Sequence, residues 1–100
     1  MEVKEIFEKD FKKVIQKGKV LVDCYASWCG PCKMMAPIVE EVASSTTDCM
    51  FYKLDIDTAL EIAKEYGILS IPTLLLFMDG ELINRSVGLL SLEELENFIK

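Results

Sequence analysis

Two cysteines separated by two residues, in Trp28-Cys29-Gly30-Pro31-Cys32, are the side chains best suited to covalent chemistry in this sequence. They follow an apolar run, Val20-Leu21-Val22-Asp23-Cys24-Tyr25-Ala26, that reads as a buried strand. Cys32-Lys33-Met34-Met35-Ala36 then reads as the first turns of a helix. A strand feeding a C-x-x-C at a helix start is an arrangement for dithiol–disulfide exchange. The spacing puts both sulfurs on one face of the first helical turn, where they can close as a disulfide or open as a dithiol. Unpaired N–H groups and partial positive charge at the helix start favour the thiolate of Cys29, the attacking species. Cys32, one turn deeper and less exposed, is placed to attack the mixed disulfide that Cys29 makes with a substrate. Pro31 suits a first-turn position because it has no N–H to leave unpaired. Trp28 flanks the sulfurs as an apolar lid.

The competing chemistry is half of a structural zinc site. Zinc wants a second C-x-x-C or paired His. This chain has no His, and its other cysteines, Cys24 and Cys49, stand alone. No metal is expected. The lack of His also excludes Ser-His-Asp and Cys-His nucleophile pairs, so any proton that moves during thiol chemistry needs another carrier.

One hundred residues make a single domain, residues 1–100, with one core. A composition of 51% hydrophobic and 28% charged residues describes a globular chain. The net charge of −6 argues against nucleic acid and gives no reason to seek an anionic membrane. The longest apolar stretch, Ile71 to Met78, is too short to span a bilayer. Met1-Glu2-Val3-Lys4-Glu5 lacks the apolar core of a signal peptide. A cytoplasmic location is expected, where a C-x-x-C is more often catalytic than structural.

The elements that must position the thiols follow from periodicity and caps. Val3 to Phe7 reads as a short first strand. Asp10 to Lys17 reads as a helix stopped by Gly18. Lys19 to Ala26 is the strand before the cysteines, and the helix after them runs to about Ser44, kinked at Pro37. Cys49 to Ile56 is a second buried strand. Thr58-Ala59-Leu60-Glu61 has the capping-box pattern and opens a helix closed by Gly67. Thr73 to Met78 and Leu82 to Val87 flank Asp79-Gly80, a hairpin signal. Ser91-Leu92-Glu93-Glu94 is another capping box, and Leu92, Leu95, Phe98 and Ile99 give the last helix one apolar face. The order β-α-β-α-β-α-β-β-α predicts an α/β fold, a mixed sheet with helices on both faces.

Asp23 interrupts an apolar strand, where an unpaired carboxylate is expensive to bury. Either it reaches solvent at a strand end, or it is a buried acid beneath the cysteines. Burial would raise its pKa and let it exchange a proton with Cys32 near neutral pH.

Over nearly its whole length the chain resembles the thioredoxin family. Four separated segments carry the resemblance: Val22 through Lys33, which is similar to the active-site signature; Ala36-Pro37-Ile38, with a helix-kinking proline; Tyr66-Gly67-Ile68-Leu69-Ser70-Ile71-Pro72-Thr73, which is similar to the cis-proline segment; and Val87-Gly88. Gly30-Pro31 between the cysteines resembles thioredoxins themselves. Oxidases and isomerases of the wider fold usually carry a His there. The resemblance implies a thioredoxin fold, with a central sheet of four to five strands. It implies Cys29 as nucleophile, Cys32 as resolving thiol and a redox-active Cys29–Cys32 disulfide. Asp23 would be the proton-exchanging acid, and Lys53 either a lysine that tunes it or a surface lysine. A cis Ile71-Pro72 bond would free the Ile71 backbone to pair with an extended substrate chain. Trp28, Gly30, Pro31, Ile71, Pro72, Val87, Gly88 and Leu89 would form an apolar docking patch. For Ile71, Val87 and Leu89, sequence alone favours ordinary core packing.

The implied activity is protein-disulfide reduction and electron carriage that maintains cell redox homeostasis. It needs no bound cofactor. Disulfide-containing target proteins and a thioredoxin reductase would be the partners of a monomer. The rival reading is a binding module whose patch docks a partner while its redox state is incidental. Ser27, Tyr25 and the proline-free Asp57-Thr58-Ala59 depart from the family pattern. If Asp23 and Lys53 are neighbours on parallel strands, Cys24 and Cys49 lie more than about 12 Å apart, since a strand rises about 3.3 Å per residue. That is beyond a bridge, so both are expected as buried or partly buried free thiols.

Overall fold

Strand β2, Lys19–Tyr25, runs through the middle of a five-stranded mixed sheet in the computed structural model, which describes all 100 residues. The other strands are β1 (Val3–Ile6), β3 (Met50–Asp55), β4 (Thr73–Met78) and β5 (Glu81–Val87), in the order β1-β3-β2-β4-β5. β3 pairs in parallel with β1 and β2, while β4 and β5 complete the sheet as an antiparallel hairpin. Its turn residues Asp79 and Gly80 have φ of 50° and 88°, the left-handed conformations that a two-residue hairpin requires.

Side chains alternate across a strand, so β2 feeds two cores. Val20, Val22 and Cys24 pack on one face with Phe11, Ile62 and Phe77, beneath α1 (Phe11–Val14) and α3 (Leu60–Glu65). Leu21 packs on the other with Met35, Val39 and Leu95, beneath α2 (Gly30–Ser44) and α4 (Leu92–Phe98). By the same parity Asp23 lies on the α2 side, and its register partner on β3 is Lys53. Cys24 and Cys49 are buried free thiols.

Three local expectations are corrected. The first helix is not Asp10 to Lys17. It is a 3-10 turn, Glu8–Asp10, followed by the single-turn α1. Asp10 accepts the Phe7 N–H at 3.1 Å and holds the turn, and Gly18, at φ 74°, directs the chain into β2. Thr58 does not cap α3. Its hydroxyl donates to the Asp55 carbonyl at 3.0 Å, closing a second 3-10 turn, and the N-cap residue is Ala59. The free Ile62 N–H is instead taken by the Glu8 carboxylate at 3.0 Å, a cap supplied from 54 residues away. On α4, Leu95 and Ile99 are buried, but Leu92 is exposed because it starts the helix at the rim of the core.

The Ser91 box forms as read. Ser91 Oγ accepts the Glu94 N–H at 3.1 Å, and Glu94 accepts the Ser91 N–H at 2.8 Å. Ser91→Ala should therefore lower stability by about 1 kcal/mol, measured by urea unfolding. No change would mean that α4 is held by Leu95 and Ile99 alone.

Candidate active site

The site forms where β2 ends and α2 begins. Cys29 is the N-cap of α2, with extended backbone at φ −88° and ψ 116°, and its sulfur accepts the Cys32 N–H at 3.2 Å. The cap that a Ser or Asp oxygen usually provides is here a sulfur, so the helix start stabilises negative charge on Cys29 directly. Pro31 sits in the first turn. The Cα atoms of Cys29 and Cys32 are 5.2 Å apart, and the two sulfurs pair as a disulfide. Both cysteines are buried, in a small cluster with Ala26, against which Tyr25 and Ile71 pack. α2 continues through Pro37, whose missing N–H removes one ladder bond, to Ser44.

Across from Cys29 lies the Ile71–Pro72 peptide, which is cis. The Ile71 carbonyl oxygen is 3.8 Å from Cys29 Sγ. The Gly88 N–H donates to the Pro72 carbonyl at 2.8 Å, and Gly88 has φ 99°, a conformation that disfavours any side chain there. Trp28 is 69% exposed, Val87 58% and Leu89 44%, so these three form open apolar surface rather than core. Gly30 and Pro31 are exposed as well, Ile71 is half-buried, and Pro72 is buried behind them.

Asp23 lines a cleft that Cys32 also lines. It is 4% exposed, and its Oδ1 has no hydrogen-bond partner. Burial pushes its carboxyl up from 3.8 to about 7, against the opposing pull of Lys53. Lys53 forms no ion pair with it, and is half-buried. A cleft of about 250 Å³ joins Asp23, Cys32, Lys33 and Lys53, with Tyr25 and Ser27 in its wall. A larger cleft, about 380 Å³, lies at the other end of α2 and contains no cysteine. Burial and the neighbouring Asp23 charge hold the Cys24 thiol well above its ordinary value, and burial pushes Cys49 up to about 11, so neither supplies a thiolate at neutral pH.

Two site contacts escaped the sequence. The Trp28 indole N–H donates to the Asp57 carboxylate at 2.7 Å, and the Tyr25 hydroxyl donates to Glu5 at 2.5 Å. Asp57 and Tyr25 stand at positions where the chain departs from the family pattern, which was the only signal available. No three His, Cys, Asp or Glu side chains converge to hold a metal ion, and no helix is long and apolar enough to cross a membrane.

Comparison with known proteins gives one answer. The thioredoxin family profile matches residues 2–100. A thioredoxin of Mycoplasmoides gallisepticum is 49% identical over 82 residues, 82% of each chain. One of Chlamydia muridarum is 43% identical over 97 residues, 97% of this chain and 95% of the other. The crystal structure of reduced Schistosoma mansoni thioredoxin pre-protein superposes with a TM-score of 0.90 at 32% identity, covering 99% of this chain and 96% of that one.

Proposed function

The chain belongs to the thioredoxin family and is a protein-disulfide oxidoreductase acting by dithiol–disulfide exchange, and from that premise we propose a division of labour among its site residues. In the reduced protein the Cys29 thiolate attacks one sulfur of a target disulfide, forming a mixed disulfide and releasing the other target sulfur as a thiolate. The Cys32 thiol gives its proton to the Asp23 carboxylate, and the Cys32 thiolate then attacks Cys29. The Cys29–Cys32 disulfide forms, the target leaves as a dithiol, and two electrons have moved from protein to target. Asp23 returns its proton to solvent through the cleft that Lys53 borders. Burial makes the Asp23 carboxylate basic enough to accept a proton, and the positive Lys53 opposes that rise, which keeps it partly ionised near neutrality.

The target enters as an extended segment over Trp28, Gly30, Pro31, Val87, Gly88 and Leu89. Its backbone pairs with Ile71 at the cis-Pro72 turn, a form of strand addition. The partners are disulfide-bearing proteins and a thioredoxin reductase that returns the spent disulfide to the dithiol. The protein acts as a monomer in the cytoplasm with no bound cofactor. The observation that supports this reading best is the Cys29 sulfur, which takes a helix-start N–H on one side and faces the Ile71 carbonyl on the other.

The deciding experiment is insulin-disulfide reduction with Cys32→Ser. That variant should accumulate a mixed disulfide through Cys29, visible as a covalent complex on a non-reducing gel and by mass spectrometry, because attack proceeds and resolution does not. Trapping through any other cysteine would overturn the assignment. The binding-module reading predicts instead that partner capture survives loss of both Cys29 and Cys32.

A further inference from the structure

The segment Gly67–Pro72 brings the Ile71 carbonyl to Cys29, and strand β5 holds it at both ends. At its far end the Gly88 N–H, just past β5, donates to the Pro72 carbonyl. At its near end the Arg85 guanidinium reaches from β5 to the last turn of α3. Nη2 donates to the Tyr66 carbonyl, and Nη1 donates to the Gly67 carbonyl at 3.4 Å.

These two carbonyls are left over from the helix end. The Gly67 N–H goes to Lys64 and the Ile68 N–H to Ala63, so the carbonyls of Ala63 and Lys64 are satisfied internally. Those of Tyr66 and Gly67 point outward at the negative end of the helix dipole, where a guanidinium is favoured. The Tyr66 ring is fixed from within, with its centroid 5.4 Å from Phe11 and 5.7 Å from Phe77. Beyond it the segment is held by Ile68 against the core, by the Thr73 hydroxyl, which donates to the Ser70 carbonyl at 2.5 Å, and by Ile71 and Pro72 beside the cysteines, while the residues between are open. Gly67, at φ 60°, is exposed, Leu69 is 96% exposed, and Ser70 is exposed. Arg85 is thus the side-chain tether from β5 at the point where the buried helix gives way to the exposed segment.

The geometry points to Arg85 as a positioning residue for target docking: its clamp on the Tyr66 and Gly67 carbonyls holds the Gly67–Pro72 segment in the form that offers the Ile71 backbone to an extended target chain beside Cys29. The inference rests on the docking reading above. Arg85 touches neither sulfur, so it acts only through the segment it holds. Without the clamp the segment samples other conformations, and apparent target affinity falls by the fraction of molecules still competent to dock. The chemical step inside the docked complex is unchanged.

The test is stopped-flow oxidation of reduced protein, followed by fluorescence of Trp28, the one tryptophan in the chain. Wild type, Arg85→Met and Arg85→Lys are each mixed with insulin and, separately, with 5,5′-dithiobis(2-nitrobenzoate), a small disulfide with no chain to pair. For insulin, Arg85→Met should raise the half-saturating concentration roughly three- to tenfold, up to the affinity carried by one charge-assisted hydrogen bond. The limiting rate should hold, as should the rate with the small disulfide. Arg85→Lys, which keeps a charged donor, should recover part of the loss. An unchanged half-saturating concentration in Arg85→Met, or equal slowing with both disulfides, would overturn the clamp while leaving exchange through Cys29 intact. Failure of wild type to react with either disulfide would overturn the exchange reading, and the clamp with it.

Discussion

Cys29→Ser should leave a folded protein that reduces insulin no faster than dithiothreitol alone, a loss on the order of 10³-fold or more, as for other nucleophile replacements. The substitution exchanges sulfur for a smaller oxygen at a site only 5% exposed, so the packing with Ala26 and Ile71 survives. The Cys32 N–H still finds an acceptor, since serine is itself a good N-cap. What disappears is the thiolate, and none of the three remaining thiols replaces it: Cys32, freed by the substitution, is buried one turn into α2 and lacks the N-cap position that stabilises a thiolate. Cys24 and Cys49 are buried and hold their protons at neutral pH. The check is insulin turbidity with dithiothreitol as electron source, alongside near-UV circular dichroism for the fold. A folded Cys29→Ser variant with substantial activity would mean that attack begins elsewhere, and the roles assigned to both cysteines would fall together.

The second large effect is on stability. Asp23 has a folded pKa of about 7 against 3.8 for the free side chain. The folded state therefore binds this proton more tightly than the unfolded chain does. Below the unfolded value the carboxyl is neutral in both states and burial carries no charge penalty. As pH rises above the unfolded value, the unfolded chain ionises while the buried carboxyl keeps its proton, so stability is lost between about pH 4 and pH 7, and above the folded value both states are ionised and the loss is complete. A gap of about three pK units at 1.36 kcal/mol each makes this loss about 4 kcal/mol. Asp23→Asn removes the titration. Urea unfolding of both oxidised proteins at pH 4, 6 and 8 should show the variant gaining on wild type by about 4 kcal/mol across the series. Parallel stability–pH curves would place the Asp23 carboxyl at an ordinary pKa and remove it as proton acceptor for Cys32. The acid that destabilises the fold is kept, on this reading, because its neutral-range pKa serves the exchange.

Much of this protein is legible locally. The C-x-x-C, the strand before it and α2 to Ser44 follow from the apolar run and the spacing at Cys29 and Cys32. Asp79-Gly80 dictates its hairpin because few residues accept two consecutive left-handed conformations, and Ser91 with Glu94 dictates the start of α4. The resemblance to the thioredoxin family placed the cis bond at Pro72 and the exposed patch around it.

Other features depend on which elements become neighbours. The Thr58 pattern matched a capping box, yet the α3 cap comes from Glu8, because only the packed fold brings that carboxylate to Ile62. Whether Asp23 met solvent or core was undecided in one dimension. The pairing of β2 with both β3 and β4, and the helix α2 laid over that face, bury it. Asp57 on Trp28, Glu5 on Tyr25 and Arg85 on the end of α3 join residues 18 to 29 apart with no local signature. Sequence by itself determined the reactive pair and the local elements, because periodicity, caps and turns are set by residues within a few positions of one another. Tertiary structure alone decided what surrounds the pair, because burial and long-range hydrogen bonds exist only once distant strands and helices share a surface.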